Sequence, residues 1–237
     1  SFFYTGGLVA IHANGRDRDS IWTALNKKQV YGTSGERILL WFDLLNSDRG
    51  KVSMGSEVAL SDPPRFRVAA VGAFKQKPGC PDYVHDSLTS ERMESLCGGE
   101  CYHPGDERKL ITRIEIIRIR PQMIRDEPML LADGGSRIED VWKTLNCEPS
   151  QQGCSFEFDD PDFDVQARDF IYYARAVQEP SPLINGANLR TEYGKNGEAI
   201  SVNPCYSDNR TDKSDNCLAA AESRAWSSPI FVNYKAQ

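Results

Sequence analysis

The chain has 237 residues, 40% of them hydrophobic, and a formal net charge of -6, which is enough apolar content for one large domain or two small ones. An isoelectric point near 5.2 argues against the basic face with which proteins neutralise a phosphate backbone, so no nucleic-acid partner is expected. The longest apolar runs, such as Ile38 to Phe42, fall far short of the roughly 20 residues that cross a bilayer, and no membrane anchor is expected.

In chain order, Gly6 to Ile38 reads as strand, helix, strand. The first strand begins close to Ser1 with no initiator Met, charged leader or cleavage site, so the chain is expected to start in mid-fold with residues upstream of it. The spacing predicts a helix over Arg18 to Lys28, capped by Asp17 or Asn14, packing through Ile21, Trp22 and Leu25, with Lys27 and Lys28 at its C-terminal dipole. The segment Arg37 to Leu45, RILLWFDLL, is too hydrophobic to face water on either side and reads as a buried strand.

Past the polar turn NSDRGK the texture becomes β, which sets a domain boundary near Asn46, between residues 1–46 and 47–237. Strands are predicted over Glu57 to Leu60, Phe66 to Phe74, Leu110 to Arg120, Ser155 to Phe158, Arg168 to Gln178 and Pro229 to Tyr234, with Trp226 as a core plug. One β-sandwich-like domain would absorb them. The insertions Lys75 to Lys109 and Glu179 to Arg224 read as surface loops.

Those insertions carry five of the seven cysteines, Cys80, Cys97, Cys101, Cys205 and Cys217; the others are Cys147 and Cys154. Gly-, Pro- and Asp-rich surroundings point to disulfides. Local pairing, Cys147 with Cys154 and Cys205 with Cys217, is the simplest reading, and it leaves one of Cys80, Cys97 and Cys101 over, either free or paired upstream. A zinc site from these three and His103, with His85 nearby, is chemically possible, but Cys80 stands alone where a zinc knuckle offers two tight pairs, so a disulfide is favoured.

Three further segments are candidates. His12, in VAIHANGRDR, ends a strand and could be a substrate-side acid or base or an outlying ligand, or simply a satisfied or partly exposed histidine. YGTSGERI offers Tyr31, Thr33, Ser34 and Arg37 for gripping an anionic group, Arg37 in bidentate fashion; otherwise Gly32 and Gly35 only make a turn and Arg37 pairs with a carboxylate. FDDPDFD places Asp160, Asp162 and Asp164 at alternate positions, but Val165 and Ile171 stand where a calcium loop needs Gly and Glu, so an acidic turn is the better reading. Asn209-Arg210-Thr211 matches a glycosylation acceptor and carries little weight.

The stretches GGLVAIHANGRDRDSIWTALNKKQVYGTSGERILLWF, LCGGECYHP, RIEIIRIRP, DFIYYARAVQEPSPLING, NPCYSDNRTDKSDNCLA and RAWSSPIFV together resemble the C-terminal half of a bacterial family related to the polymerase-and-histidinol-phosphatase (PHP) metallohydrolases, similar to the carbaryl hydrolase type. The resemblance implies an α/β plus β architecture: the last strand-helix-strand elements of a PHP-like β/α barrel, then a β-sandwich-like domain with disulfide-stapled loops. It also implies divalent zinc, manganese or iron that activates water and polarises an ester or phosphoryl oxygen. The ligand motifs of that superfamily, His-x-His and Asp-x-His, do not occur among His12, His85 and His103, so the ligands are expected upstream.

The function so implied is the C-terminal portion of a periplasmic or secreted hydrolase acting on phosphate or carboxylic esters. Its partners would be the upstream half of the barrel and a small ester substrate, with oligomerisation left open. The competing reading is a disulfide-stapled β domain that binds or scaffolds without chemistry of its own.

Overall fold

The computed structural model describes residues 6–131, 134–204 and 218–236, with the side chains of 164 and 165 outside that description. Strand β1 (Leu8–Ile11), helix α1 (Arg18–Asn26) and β2 (Val30–Thr33) open the chain, followed by β3 (Leu39–Ser47), β4 (Gly50–Ser53), β5 (Glu57–Leu60) and β6 (Arg65–Val71). A short strand β7 (Phe74–Gln76), helices α2 (Asp82–Ser87) and α3 (Ser90–Cys97) and strand β8 (Pro104–Arg108) form an excursion. The chain then runs through β9 (Ile111–Ile119), β10 (Ile138–Asn146), β11 (Cys154–Asp159), α4 (Phe163–Gln166) and β12 (Phe170–Ile184). It closes with β13 (Glu192–Tyr193), β14 (Ala199–Ser201), β15 (Leu218–Ser227) and β16 (Ile230–Tyr234).

The organiser is β12. One of its edges pairs antiparallel with β9; the other takes β16 along residues 170–172 and β15 along residues 175–184. From β15 the sheet continues through β2 to β1, from β16 to β5, and from β9 to β10, making eight strands. A second sheet of four strands runs in the order β11-β6-β3-β4. Alternation turns Leu40, Phe42 and Leu44 of β3 and Phe66 and Val68 of β6 toward Ile114, Ile116, Tyr172, Ala174 and Val232 of the large sheet, in one buried cluster. Phe66 joins the layers, its ring 5.2 Å from Phe42 and 4.7 Å from Tyr172.

Asp17 is the cap of α1: its Oδ1 accepts the Ser20 backbone N–H at 2.9 Å. The helix does not pack through the face its spacing proposed. Trp22 is 64% and Leu25 41% exposed, and Ala24 is the buried contact. Of the proposed face Ile21 is half-buried, and among the described residues no layer covers Trp22 and Leu25. Antiparallel pairing of β1 and β2 makes this segment an edge hairpin of the large sheet, and a parallel β/α repeat is not formed here.

Strand β3 is buried on one face only, since Trp41 is 39% exposed on the other. Its register places Trp41 opposite Ala69 and Asp43 opposite Arg67 on the outer face of the small sheet. No break in either sheet coincides with Asn46: β3 runs through it, and β2 is hydrogen-bonded to β15. The insertion Glu179 to Arg224 is also more ordered than a loop, because β12 continues to Ile184 and most of β15 falls inside it. Within β15, Ala225 takes the core position and Trp226 is only half-buried.

The described residues hold two disulfides, Cys147–Cys154, as local pairing proposed, and Cys80–Cys101. Cys97 is a free thiol, the one left over. The zinc reading of this group gives way to the Cys80–Cys101 bond. Cys205, Cys217 and the Asn209 triplet lie outside the described residues. No helix among the described residues is long and apolar enough to cross a membrane.

Candidate functional site

The segment from Tyr31 to Arg37 turns from the edge of the large sheet into the small one. Each hydroxyl along it has a structural task. Buried Tyr31 donates its phenol O–H to the Ile38 carbonyl at 3.0 Å, and burial pushes its pKa up, keeping the donor protonated. Thr33 Oγ1 accepts the Gly35 N–H at 3.2 Å, and Gly35 has a φ of +119°, which only glycine adopts freely. Ser34 extends the ladder to β15: its N–H donates to the Arg224 carbonyl and its Oγ accepts the Arg224 N–H, both at 2.9 Å.

Arg37 is different. Its guanidinium stacks on the Tyr102 ring at 3.6 Å, and it has no carboxylate partner among the described residues. The neighbouring Glu36 is instead spent on Lys109, Oε1 to Nζ at 2.5 Å. That pair is internally neutral, so Arg37 supplies the uncompensated positive charge. It borders a cleft of about 280 Å³ with Ser34, Glu36, Phe74, Gln76 and Tyr102. A second, more apolar hollow of about 360 Å³ lies on its other side, lined by Leu8, Val9, Tyr31 and Thr33.

The far wall of the cleft comes from chain distant in sequence. Gln76 is pinned at both ends, its Nε2 donating to the Phe74 carbonyl at 3.0 Å and its Oε1 accepting the His103 N–H at 2.9 Å. Beneath them Gly72 lets the Lys109 carbonyl pass so closely that a Cβ would lie 1.8 Å from that oxygen. A stacked guanidinium whose N–H edge has no partner among the described residues, over a half-polar cleft, can bind a carboxylate or phosphate group bidentately.

His12 is not part of this cleft. Its Nε2 donates to the Leu40 carbonyl at 2.8 Å, and its ring packs 5.3 Å from Tyr31 and 5.9 Å from Trp41. It faces a separate hollow of about 260 Å³ shared with Asn14, Asp19, Lys27 and Gln29. The structure therefore unites Ser34 and Arg37, puts Tyr31 and Thr33 behind Arg37, and leaves His12 elsewhere.

A group that sequence reasoning did not single out is the charge network under β9. Arg118, 2% exposed, binds both oxygens of fully buried Asp160 through Nη1 at 2.8 and 2.9 Å, and reaches Glu139 through Nε at 2.5 Å. Tyr172 donates its O–H to Asp160 at 2.6 Å, and burial, with the Asp160 charge, drives its pKa strongly upward. Asp162 joins at 3.2 Å from Arg118, so the acidic run is an arginine-binding turn. The signal in the sequence was Arg118 and Arg120 inside the apolar run RIEIIRIRP, since arginines there must be paired.

Among the described residues, the one grouping of three or more potential metal ligands within reach of a common ion is Cys80, Cys97 and Cys101, and two of them are joined to each other. That set does not fit a hydrolytic zinc, manganese or iron centre, which takes His and carboxylate ligands with an open position.

A family model described as a protein of unknown function (DUF3604) matches residues 2–71. The match runs from the N-terminal segment through β6 and includes Arg37, and it stops short of Tyr102 on the facing wall. No curated protein and no solved structure matches the chain.

Proposed function

We propose that this chain is the β-rich C-terminal portion of a secreted or periplasmic metal-dependent hydrolase of the PHP type, acting on phosphate or carboxylic esters. In this reading Arg37 grips the anionic group of the substrate, while the barrel and its metal ligands belong to a segment outside residues 1–237. The observation that carries it is the Arg37 guanidinium, without a carboxylate partner among the described residues and stacked on Tyr102 over a cleft. Outward-facing Leu8, Val9, Trp22 and Leu25 on the first elements support a covering partner, in keeping with an upstream half. The two disulfides support an oxidising compartment.

When bound, the divalent ion would supply Lewis-acid and water-activating chemistry. The residues here bind and orient: Arg37 takes two substrate oxygens, and Ser34 at the rim has a hydroxyl proton to donate. For His12 to act as a substrate-side acid or base, the substrate must extend from the Arg37 cleft into the separate hollow that His12 lines, where Nδ1 alone is available because Nε2 is committed to Leu40. The complete protein, supplied with zinc, manganese or iron(II), should hydrolyse an aryl phosphate or aryl carboxylate ester. Arg37→Ala should raise KM for the phosphate ester on the order of tenfold, the cost of a charge-assisted hydrogen bond. No hydrolysis with any of the metals would end the hydrolase reading, and an unchanged KM would end the role of Arg37. His12→Gln with full turnover would end that of His12.

One observation favours a binding domain without chemistry: β2 is hydrogen-bonded to β15 and Tyr31 belongs to the common core, so the chain builds its hydrophobic interior from its own two sheets. On that reading the isolated chain is a stable monomer that binds inorganic phosphate or a carboxylate at Arg37, and the complete protein turns nothing over.

A further inference from the structure

The three sulfurs next to the Arg37 cleft are arranged for more than a static staple. Cys97 Sγ lies 3.5 Å from Cys101 Sγ, the atom already bonded to Cys80. All three side chains are half-buried, so none is sealed in the core. Between Cys97 and Cys101 stand Gly98 and Gly99, at φ +59° and +75°, in a backbone region where glycine moves at little cost. A Cβ on Gly98 would meet nothing within 4 Å, so the linker has room to shift. On the other side, hydrogen bonds besides the disulfide hold the Cys80 segment to the segment of Cys101: Gly79 N–H donates to Glu100 at 2.9 Å, Cys101 N–H to the Gly79 carbonyl at 3.3 Å and Lys77 N–H to the His103 carbonyl at 2.7 Å, with His103 Nδ1 3.2 Å from the Pro78 carbonyl.

We propose that Cys80, Cys97 and Cys101 form one exchanging thiol–disulfide site that controls the wall of the Arg37 cleft. The Cys97 thiolate attacks Cys101 Sγ; the Cys97–Cys101 bond forms as the Cys80–Cys101 bond breaks, and Cys80 leaves as a thiolate that takes up the proton Cys97 lost. One disulfide and one thiol stand on each side of the reaction, so no oxidant or reductant is consumed. The product exchanges a tether of sequence separation 21 for a local one of four residues, which removes the covalent tie between the Cys80 segment and the wall and leaves hydrogen bonds alone to hold them together. Cys101 and Tyr102 both line the cleft, so drawing Cys101 toward α3 moves the aromatic face on which Arg37 rests. That last consequence rests on the Arg37 reading; the exchange itself does not.

The test is a disulfide map of the purified, unreduced chain, incubated across a range of pH, quenched in acid, alkylated and digested for mass spectrometry. Both Cys97-alkylated and Cys80-alkylated peptides should be found, the second growing in faster at higher pH because the thiolate is the nucleophile. Cys80→Ser should contain a Cys97–Cys101 bond and Cys97→Ser should retain Cys80–Cys101. Alkylation confined to Cys97 at every pH, with no Cys97–Cys101 bond in Cys80→Ser, overturns the exchange. Titration with inorganic phosphate then reads the coupling. Cys97→Ser should bind at least about threefold more tightly than Cys80→Ser, and equal affinities overturn the control of the cleft. If wild type and both variants fail to bind phosphate while both isomers are mapped, the Arg37 reading fails and the exchange stands.

Discussion

The guanidinium of Arg118 meets the carboxylate of Asp160 where neither touches water, with Nη1 at 2.8 and 2.9 Å from the two oxygens. The pair ties β9 to the turn after β11, and Tyr172 completes it from β12. Burying two charges is costly, and the arrangement holds because every strong donor and acceptor around them is used.

Breaking that pair from one side should therefore be severe. Asp160→Asn and Arg118→Met are each expected to lower unfolding free energy by about 3–5 kcal/mol, the range for stranding a buried charge. The double variant should lose clearly less than the sum of the two. Chemical denaturation of the three variants measures this, and additive losses would show that the residues act independently.

Acid should weaken the sheet through a second network. Glu222 is held below the ordinary glutamate value of 4.5 chiefly by its hydrogen bond from Arg113. Burial raises the pKa of Glu115, but the hydrogen bonds from Arg113 and Arg175 outweigh it and the net shift is downward. A lowered folded-state pKa means that the unfolded chain binds more protons in this window, so the stabilisation is present above 4.5 and lost as pH falls through the lower folded value. Urea midpoints should accordingly fall between roughly pH 5 and pH 3. Glu222→Gln should flatten part of that fall; an unaltered profile would remove Glu222 from the account.

Tyr102 should matter to anion binding through its ring and not its hydroxyl. Tyr102→Phe is expected to keep the affinity for inorganic phosphate, while Tyr102→Leu, which leaves Arg37 without a platform, should weaken it about threefold, equivalent to a cation–π contribution of roughly 0.5–1 kcal/mol. Calorimetric titration distinguishes them, and equal losses in both variants would assign the effect to the hydroxyl.

Gly72 should tolerate no side chain. The Cβ of Gly72→Ala would lie 1.8 Å from the Lys109 carbonyl oxygen, forcing apart the two chain segments that meet under the cleft. A drop in melting temperature of several degrees is expected, corresponding to about 2 kcal/mol or more of strain. Gly6→Ala serves as the control, since neither glycine has a positive φ and a Cβ at Gly6 would meet nothing within 4 Å.

Local pattern alone determined much of this protein. The period of two along Glu57 to Leu60 and through DFIYYARA gave true strands, Asp17 gave a true cap, and the seven-residue separation of Cys147 and Cys154 gave a true disulfide. These features are decided by neighbours a few residues away, and the chain records them. The long strand β15 was hidden because its AAAESRA stretch is neither alternating nor strongly apolar; it is a strand because β12 and β2 satisfy its backbone on both edges. The outward face of Trp22 and Trp41 was likewise invisible, since hydrophobicity states a preference for burial and only the opposite layer decides whether room exists. The candidate site divided in the same way. Arg37 was legible as a cation beside a glycine turn, but its freedom from carboxylates depends on Lys109 having taken Glu36, and its platform is Tyr102, 65 positions along the chain. Pairing of distant charges and rings is set by how the sheets stack, and only the tertiary structure decided it.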